Sequence, residues 1–138
     1  MSIQWKSLAV SGCAAGLVIL VGGFSLAHFV LGPEYVDRFK AALPGGLQPT
    51  TAVSHLVLRL LWGFLGVFLY VGFRPRFGPG PATAFIAAAV LWLAAYLPAT
   101  LSLHQFGILT GWRLAVTVPW TLGEAALACL IGAWPYKE

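Results

Sequence analysis

Few residues in this chain are able to do chemistry, and those few sit inside apolar sequence. Arg59, Arg113 and Glu124 are embedded in long hydrophobic runs, as is His28, while His55 and His104 stand at run ends. An ionisable group within a bilayer is costly and faces the bundle interior or a wet cavity, so these residues are the first candidates for a site. Arg113, Thr117, Trp120, Thr121 and Glu124 fall on one side of a helix. Arg113 and Glu124 are three turns apart, about 16 Å at 1.5 Å per residue, too far to pair directly. His55, Arg59, Gly63, Gly66 and Tyr70 form a matching face on another run. Helical rise puts Arg59 only about 7 Å above the level of Glu124, a gap that an arginine side chain closes. The expected centre is an Arg59–Glu124 ion pair in a polar pocket open toward the outside, with Arg113, Thr117, Trp120 and Thr121 around it. Pro98 and Pro119 each free a backbone carbonyl one turn earlier, at Ala94 and Ala115. Arg59, with several donors, is expected to satisfy one of them.

Such a centre serves either as a polar staple that fixes helix register or as a ligand, proton or ion site. The three histidines all fall at the outer end of the chain's apolar runs. Neutral imidazole ligates metals and haem, and His28, inside a run, is the foremost candidate of the three for a haem, chlorophyll or metal. There is no H-x-x-x-H and no carboxylate-rich spacing, so no metal is expected and the cofactor expectation is none, with haem or chlorophyll as the alternative. Catalysis draws no support. The chain has no G-x-S-x-G and no paired carboxylate, and Cys13 and Cys129 fall at the inner end while the histidines fall at the outer. No nucleophile and base share a level, so the protein reads as non-enzymatic, with both cysteines as small core residues.

The elements that must position these residues follow from hydropathy. The composition is 59% hydrophobic and 9% charged, with mean hydropathy +0.86. A soluble domain carries about 25% charged residues. Four apolar runs, about 8–31, 51–73, 82–103 and 108–134, each reach the roughly 20 residues that cross a hydrocarbon core. Backbone groups in lipid must be satisfied within the segment, so all four are expected to be helical. The fold class is all-α: a single membrane domain, a transmembrane four-helix bundle of two helical hairpins. In the outer loop, 32–50, the stretch 33–43 sets Tyr35, Val36, Phe39, Ala42 and Leu43 opposite Glu34, Asp37, Arg38 and Lys40, which predicts a short interfacial helix. Lys6, Arg74, Arg76 and Lys137 lie on one side, so the positive-inside rule puts both termini in the cytoplasm. The inner loop, 74–81, reads as a stiff connector, or as a docking turn in which Arg74 and Arg76 meet a cytoplasmic partner or anionic lipid. Gly12 and Gly16, Gly63 and Gly66, and Gly123 and Gly132 are expected to mark close helix contacts. Net charge is +4, but the basic residues are scattered, so nucleic acid is not an expected partner.

Residues 74–84, R-P-R-F-G-P-G-P-A-T-A, followed by Trp92 and Tyr96, together with the ending at 132–138, resemble an uncharacterised family of small bacterial four-span membrane proteins. The resemblance implies a bacterial inner-membrane origin and the span count. It brings no activity, cofactor or site residue. Small size and several small-residue faces point to an accessory or assembly subunit of a larger inner-membrane complex, or to a small self-associating membrane protein. The partners are then the lipid bilayer and other membrane subunits or a second copy. Two alternatives stay open: a small transporter, channel or ligand-binding protein using the Arg59/Glu124 pocket, and a haem- or pigment-binding subunit.

Overall fold

The computed structural model describes residues 3–136. Lys137 and Glu138, which entered the assignment of sides and the resemblance, lie outside the described residues. The helices are α1 (Trp5–Ser25), α2 (Pro33–Ala42), α3 (Pro49–Phe77), α4 (Pro81–Leu91), α5 (Leu97–Gln105) and α6 (Trp112–Ala133). A π-helical turn at Leu26–Leu31 prolongs α1, and another at Trp92–Tyr96 joins α4 to α5. The result is four spans, Trp5–Leu31, Pro49–Phe77, Pro81–Gln105 and Trp112–Ala133, each long and apolar enough to cross a membrane. The chain is an all-α, multi-pass integral membrane protein. Both α1 and α4 pack on α3 and α6, and α3 also touches α6 across the bundle. The first span therefore lies beside the last. Where they meet, the Gln4 N–H donates to the Tyr136 hydroxyl at 3.4 Å and Ser7 Oγ to the Pro135 carbonyl at 3.5 Å.

Two boundaries differ from the hydropathy reading. The second span continues through Arg74, Pro75 and Arg76 to Phe77, which shortens the turn that follows to Gly78–Gly80. Pro75 stands in the last turn, where a proline removes one backbone bond and the helix still closes beyond it. Gly78 and Gly80 take φ of +79° and +140°, which L side chains rarely adopt. Thr83 Oγ1 donates to the Gly78 carbonyl at 2.6 Å and fixes the turn against α4. The fourth span starts at Trp112 rather than at 108. Gly107 and Gly111 have positive φ, and the turn between them tucks Ile108 and Leu109 into the end of the bundle.

Helix packing rests on missing side chains. A Cβ on Gly63 would collide with the backbone of Gly16 and with the Gly12 carbonyl, so α1 and α3 meet backbone to backbone. Gly132 faces Val67, Ala15 and the Ser11 carbonyl, and Gly66 faces Cys129 and Leu91. Close approach of this kind gives helices in lipid their dispersion contact, since lipid tails are as apolar as the side chains. Gly123 departs from the expectation: nothing lies within 4 Å of a Cβ built there, so it makes no helix contact. Cys129 is a buried core residue, whereas Cys13 is exposed on the lipid-facing side of α1.

The interfacial helix is present as α2, and charge holds it down. Glu34 accepts from Arg113 at 2.6 Å and from Arg38 at 2.7 Å. Arg38 also reaches the Gly107 carbonyl and Thr110, both at 3.5 Å. Tyr35 packs against the small apolar cluster of Leu26, Leu31 and Leu109. The hydrogen bond and charge of Arg113, then the charge of Arg38, hold the Glu34 carboxyl below its ordinary 4.5.

Two outcomes follow from this packing. Gly63→Ala is expected to destabilise the bundle by about 2 kcal/mol through overpacking, while Gly72→Ala, at a position with nothing within 4 Å, leaves stability unchanged. Denaturant titration in detergent, followed by circular dichroism, measures both. Because the folded state lowers the Glu34 pKa, its contribution to docking α2 is complete above pH 4.5 and is lost as pH falls through the lowered folded value. Amide protection factors across Pro33–Ala42, taken against the intrinsic exchange rate at each pH, should therefore fall at acid pH in the wild type and be independent of pH in Glu34→Gln.

Candidate functional site

The site is built around Glu124, near the middle of α6, whose side chain is only 3% exposed. Its Oε1 accepts the Tyr96 hydroxyl at 2.9 Å and faces Arg59 Nη1 at 3.6 Å. The Arg59 head is held on its other sides. Its Nε donates to His55 Nε2 at 3.4 Å, and its guanidinium lies 5.2 Å from the centre of the Trp62 ring. Trp62 in turn packs on the Tyr96 ring with centroids 4.6 Å apart. The charges of Arg59 and Glu124 cancel inside the span, which is how a membrane interior tolerates ionisable groups. Space for the pair comes from α1. A Cβ on Gly22 would overlap Glu124 Oε2 at 2.5 Å, and one on Gly23 would press on the Arg59 guanidinium at 3.4 Å.

Tyr96 reaches Glu124 because its helix is wound loosely. Pro98 obstructs the carbonyl one turn before it. The chain responds with the π turn at Trp92–Tyr96, in which the Leu97 N–H donates five residues back to Trp92. The wider turn shifts the register of the side chains around it. It buries Tyr96 toward α6 and lets Trp92 Nε1 donate to Thr121 Oγ1 at 3.0 Å. π turns of this kind occur frequently at functional sites.

Beside the carboxylate, a groove of about 600 Å³ opens between α1 and α6. Leu17, Val18, Val21 and Gly22 form one wall, Pro119, Trp120, Gly123 and Leu127 the other, and Glu124 completes the lining. Its apolar rim residues Leu17, Val21 and Leu127 are exposed, so the groove opens sideways into the lipid. This corrects the expectation of a polar pocket open toward the outside. Arg59 and Tyr96 engage one oxygen of the carboxylate and Gly22 packs on the other, and open space remains beside Gly123, where nothing lies within 4 Å of a Cβ. The indole of Trp120 is fixed at the rim by donating to the Gly22 carbonyl at 3.2 Å. Among the described residues, Glu124 Oε2 is buried without a hydrogen-bond partner.

The other sequence candidates disperse. Arg113 does not join the pocket; it turns to the α2 end, donating to the Leu31 carbonyl at 3.2 Å and to Glu34. Thr117 and Thr121 donate to carbonyls of their own helix, at Arg113 (2.7 Å) and Thr117 (2.9 Å). Thr121 touches the site only through Trp92. Arg59 makes no hydrogen bond to Ala94 or Ala115 among the described residues, because His55 and Glu124 engage it. The histidines do not converge. His28 stacks on Phe24 and His104 Nδ1 sits 2.9 Å from the Leu109 carbonyl, while His55 meets Arg59. No group of three His, Cys, Asp or Glu side chains able to hold a metal occurs among the described residues. Arg74 folds back between the rings of Tyr70 and Tyr136, at 5.8 and 5.5 Å, rather than projecting as a docking residue, and Arg76 stays exposed near Phe77. Sequence reasoning passed over Tyr96, Trp62, Gly22 and Gly23 as members of the site. The Gly22-Gly23 pair opposite a mid-span acid was the available signal.

The chain matches no family model, and no curated protein or solved structure is detectably similar to it.

The ion pair predicts strong coupling. Arg59→Met, which strips the buried carboxylate of its countercharge, is expected to cost about 3 kcal/mol. The double variant Arg59→Met, Glu124→Met should recover most of that loss. A double-mutant cycle of unfolding free energies in detergent measures the coupling, and additive losses would show the two side chains to be independent.

Proposed function

We propose that this protein is a non-enzymatic membrane protein that binds a small apolar ligand taken from the bilayer, in the groove between α1 and α6. The observation that carries this reading is the groove itself, a ligand-sized space with apolar walls and one acid among its lining residues. Binding sites for small molecules are commonly concave, mostly apolar and supplied with a few placed polar groups. The lateral opening favours a ligand that partitions into lipid over a solute arriving from water. Lys6, Arg74 and Arg76 at the end of the bundle where the chain begins support a topology with both termini in the cytoplasm, in a bacterial inner membrane. The same groove accommodates a side chain from a neighbouring span, and so also favours an accessory subunit that docks a partner through α1 and α6.

Gly123→Leu separates folding from binding. A Cβ there meets nothing within 4 Å, so the variant should fold at least as stably as the wild type while its side chain fills the groove. Native mass spectrometry after mild detergent extraction should find a small apolar molecule on the wild type and none on Gly123→Leu. Equal adducts on both proteins would count against the groove. A stoichiometric protein partner lost on Gly123→Leu would favour the accessory-subunit reading instead.

A further inference from the structure

We propose that the groove takes one hydrocarbon chain of an anionic phospholipid, from the leaflet on the side where the protein begins, and that Lys6 meets the lipid's phosphate. This rests on the ligand-binding reading of the groove and makes its apolar ligand one chain of a larger amphiphile. The groove itself offers no hydrogen bond. Glu124 Oε1 is engaged by the Tyr96 hydroxyl and by Arg59, and Oε2 is sealed beneath Gly22. The Trp120 N–H is spent on the Gly22 carbonyl. An occupant therefore presents only hydrocarbon there, and its polar part must lie where α1 and α6 reach an interface. By helical rise, Leu17 stands about 16 Å along α1 from Lys6, and Leu127 about 10 Å along α6 from Trp134. Half of a hydrocarbon core is about 15 Å, so a lipid with its head at Lys6 reaches the groove with the far end of its chain.

The walls of the groove continue to that interface. Lys6, Val10, Leu17 and Val21 are all exposed and fall on one face of α1, at spacings of four and seven residues. Gly123, Leu127 and Trp134 are exposed and aligned in the same way along α6. Ser7 Oγ donates to the Pro135 carbonyl at 3.5 Å, which sets Lys6 and Trp134 at one level. Tryptophan suits that level, with its ring in hydrocarbon and its N–H toward the headgroups. Charge selects this end over the other. Lys6 makes no ion pair among the described residues. Arg74 and Arg76 share its end of the bundle, and no acid stands there among the described residues. At the α2 end, Arg113 is the cation that α6 offers, and Glu34 already holds it at 2.6 Å. A lysine at a membrane surface attracts anionic lipid, and its long stem lets the ammonium reach the phosphate while methylenes stay in hydrocarbon.

The test titrates the full chain, in mild detergent, with three lipids read by native mass spectrometry: dioleoyl phosphatidylglycerol, dioleoyl phosphatidylcholine and dioctanoyl phosphatidylglycerol. The wild type is expected to bind dioleoyl phosphatidylglycerol roughly fivefold more tightly than dioleoyl phosphatidylcholine, the factor of one lysine at an anionic surface. Dioctanoyl phosphatidylglycerol, whose chains end short of the groove, should bind more weakly than its dioleoyl counterpart. Lys6→Gln should abolish the headgroup preference and keep the chain-length preference, with Lys6→Arg restoring the first. Gly123→Leu should do the reverse, keeping the headgroup preference while narrowing the gap between dioleoyl and dioctanoyl chains. Lys40→Gln, on α2, should change neither. Equal binding of the two dioleoyl lipids by the wild type, or a headgroup preference that survives Lys6→Gln, would overturn the lipid assignment and leave the groove as an apolar site. A chain-length gap that Gly123→Leu does not narrow would overturn the groove and this inference together.

Discussion

A carboxylate cannot remain alone in the middle of a membrane span, and much of this bundle is arranged around that constraint. Glu124 fixes where Arg59 must come, and Arg59 fixes the face that α3 turns inward. The Tyr96 hydroxyl supplies the second donor, which requires the third span to unwind into a π turn ahead of Pro98. Gly22 and Gly23 are bare because the two charged heads occupy the space their side chains would need. The first, second, third and fourth spans each give up something regular to meet the needs of one acid: a side chain, a buried charge, a helical turn and an apolar position.

The two halves of the bundle are held by different forces. Toward the chain ends, glycines and alanines bring backbones into contact, as where Gly63 meets Gly12 and Gly16. Around Glu124 the helices are spread by Trp62, Trp92, Tyr96 and Trp120, and the contacts become polar and aromatic. At the α2 end, beyond both, Glu34, Arg38 and Arg113 close the structure with exposed charge that water and salt screen. A groove forms at the join between the first two regimes, where spacing is set by aromatic rings and α1 and α6 present glycine.

Span number, helical class and the interfacial helix were legible in the sequence because hydropathy and charge periodicity are properties of single segments. The proximity of Arg59 and Glu124 was legible for a further reason: two lone charges at similar depth have few other ways to be neutralised. What escaped depended on rotation of one helix relative to another. The stripe from Arg113 to Glu124 shares one helix face, yet Arg113 leaves it, because its long side chain extends past the helix end to Glu34. Gly123 and Gly132 look alike in sequence, but only Gly132 faces a neighbouring helix. Tyr96 joined the site through a local change of helical pitch, which a fixed period of 3.6 residues does not anticipate. The inner turn was overestimated in length because Arg-Pro-Arg reads as a break, while α3 carries it as a final helical turn.

The position of the ion pair within the chain also orders its assembly. Arg59 emerges from the ribosome in the second span, and Glu124 only in the fourth. Until the last span arrives, a charged side chain must be carried in the membrane or at the insertion machinery without the group that will neutralise it. The contacts that α1 and α3 make through Gly12, Gly16 and Gly63, and those of the guanidinium with Trp62 and His55, lie wholly within the first two spans and do not require α6. Arrival of α6 then brings Glu124 to the guanidinium, so the same packing step that closes the bundle also neutralises its buried charge.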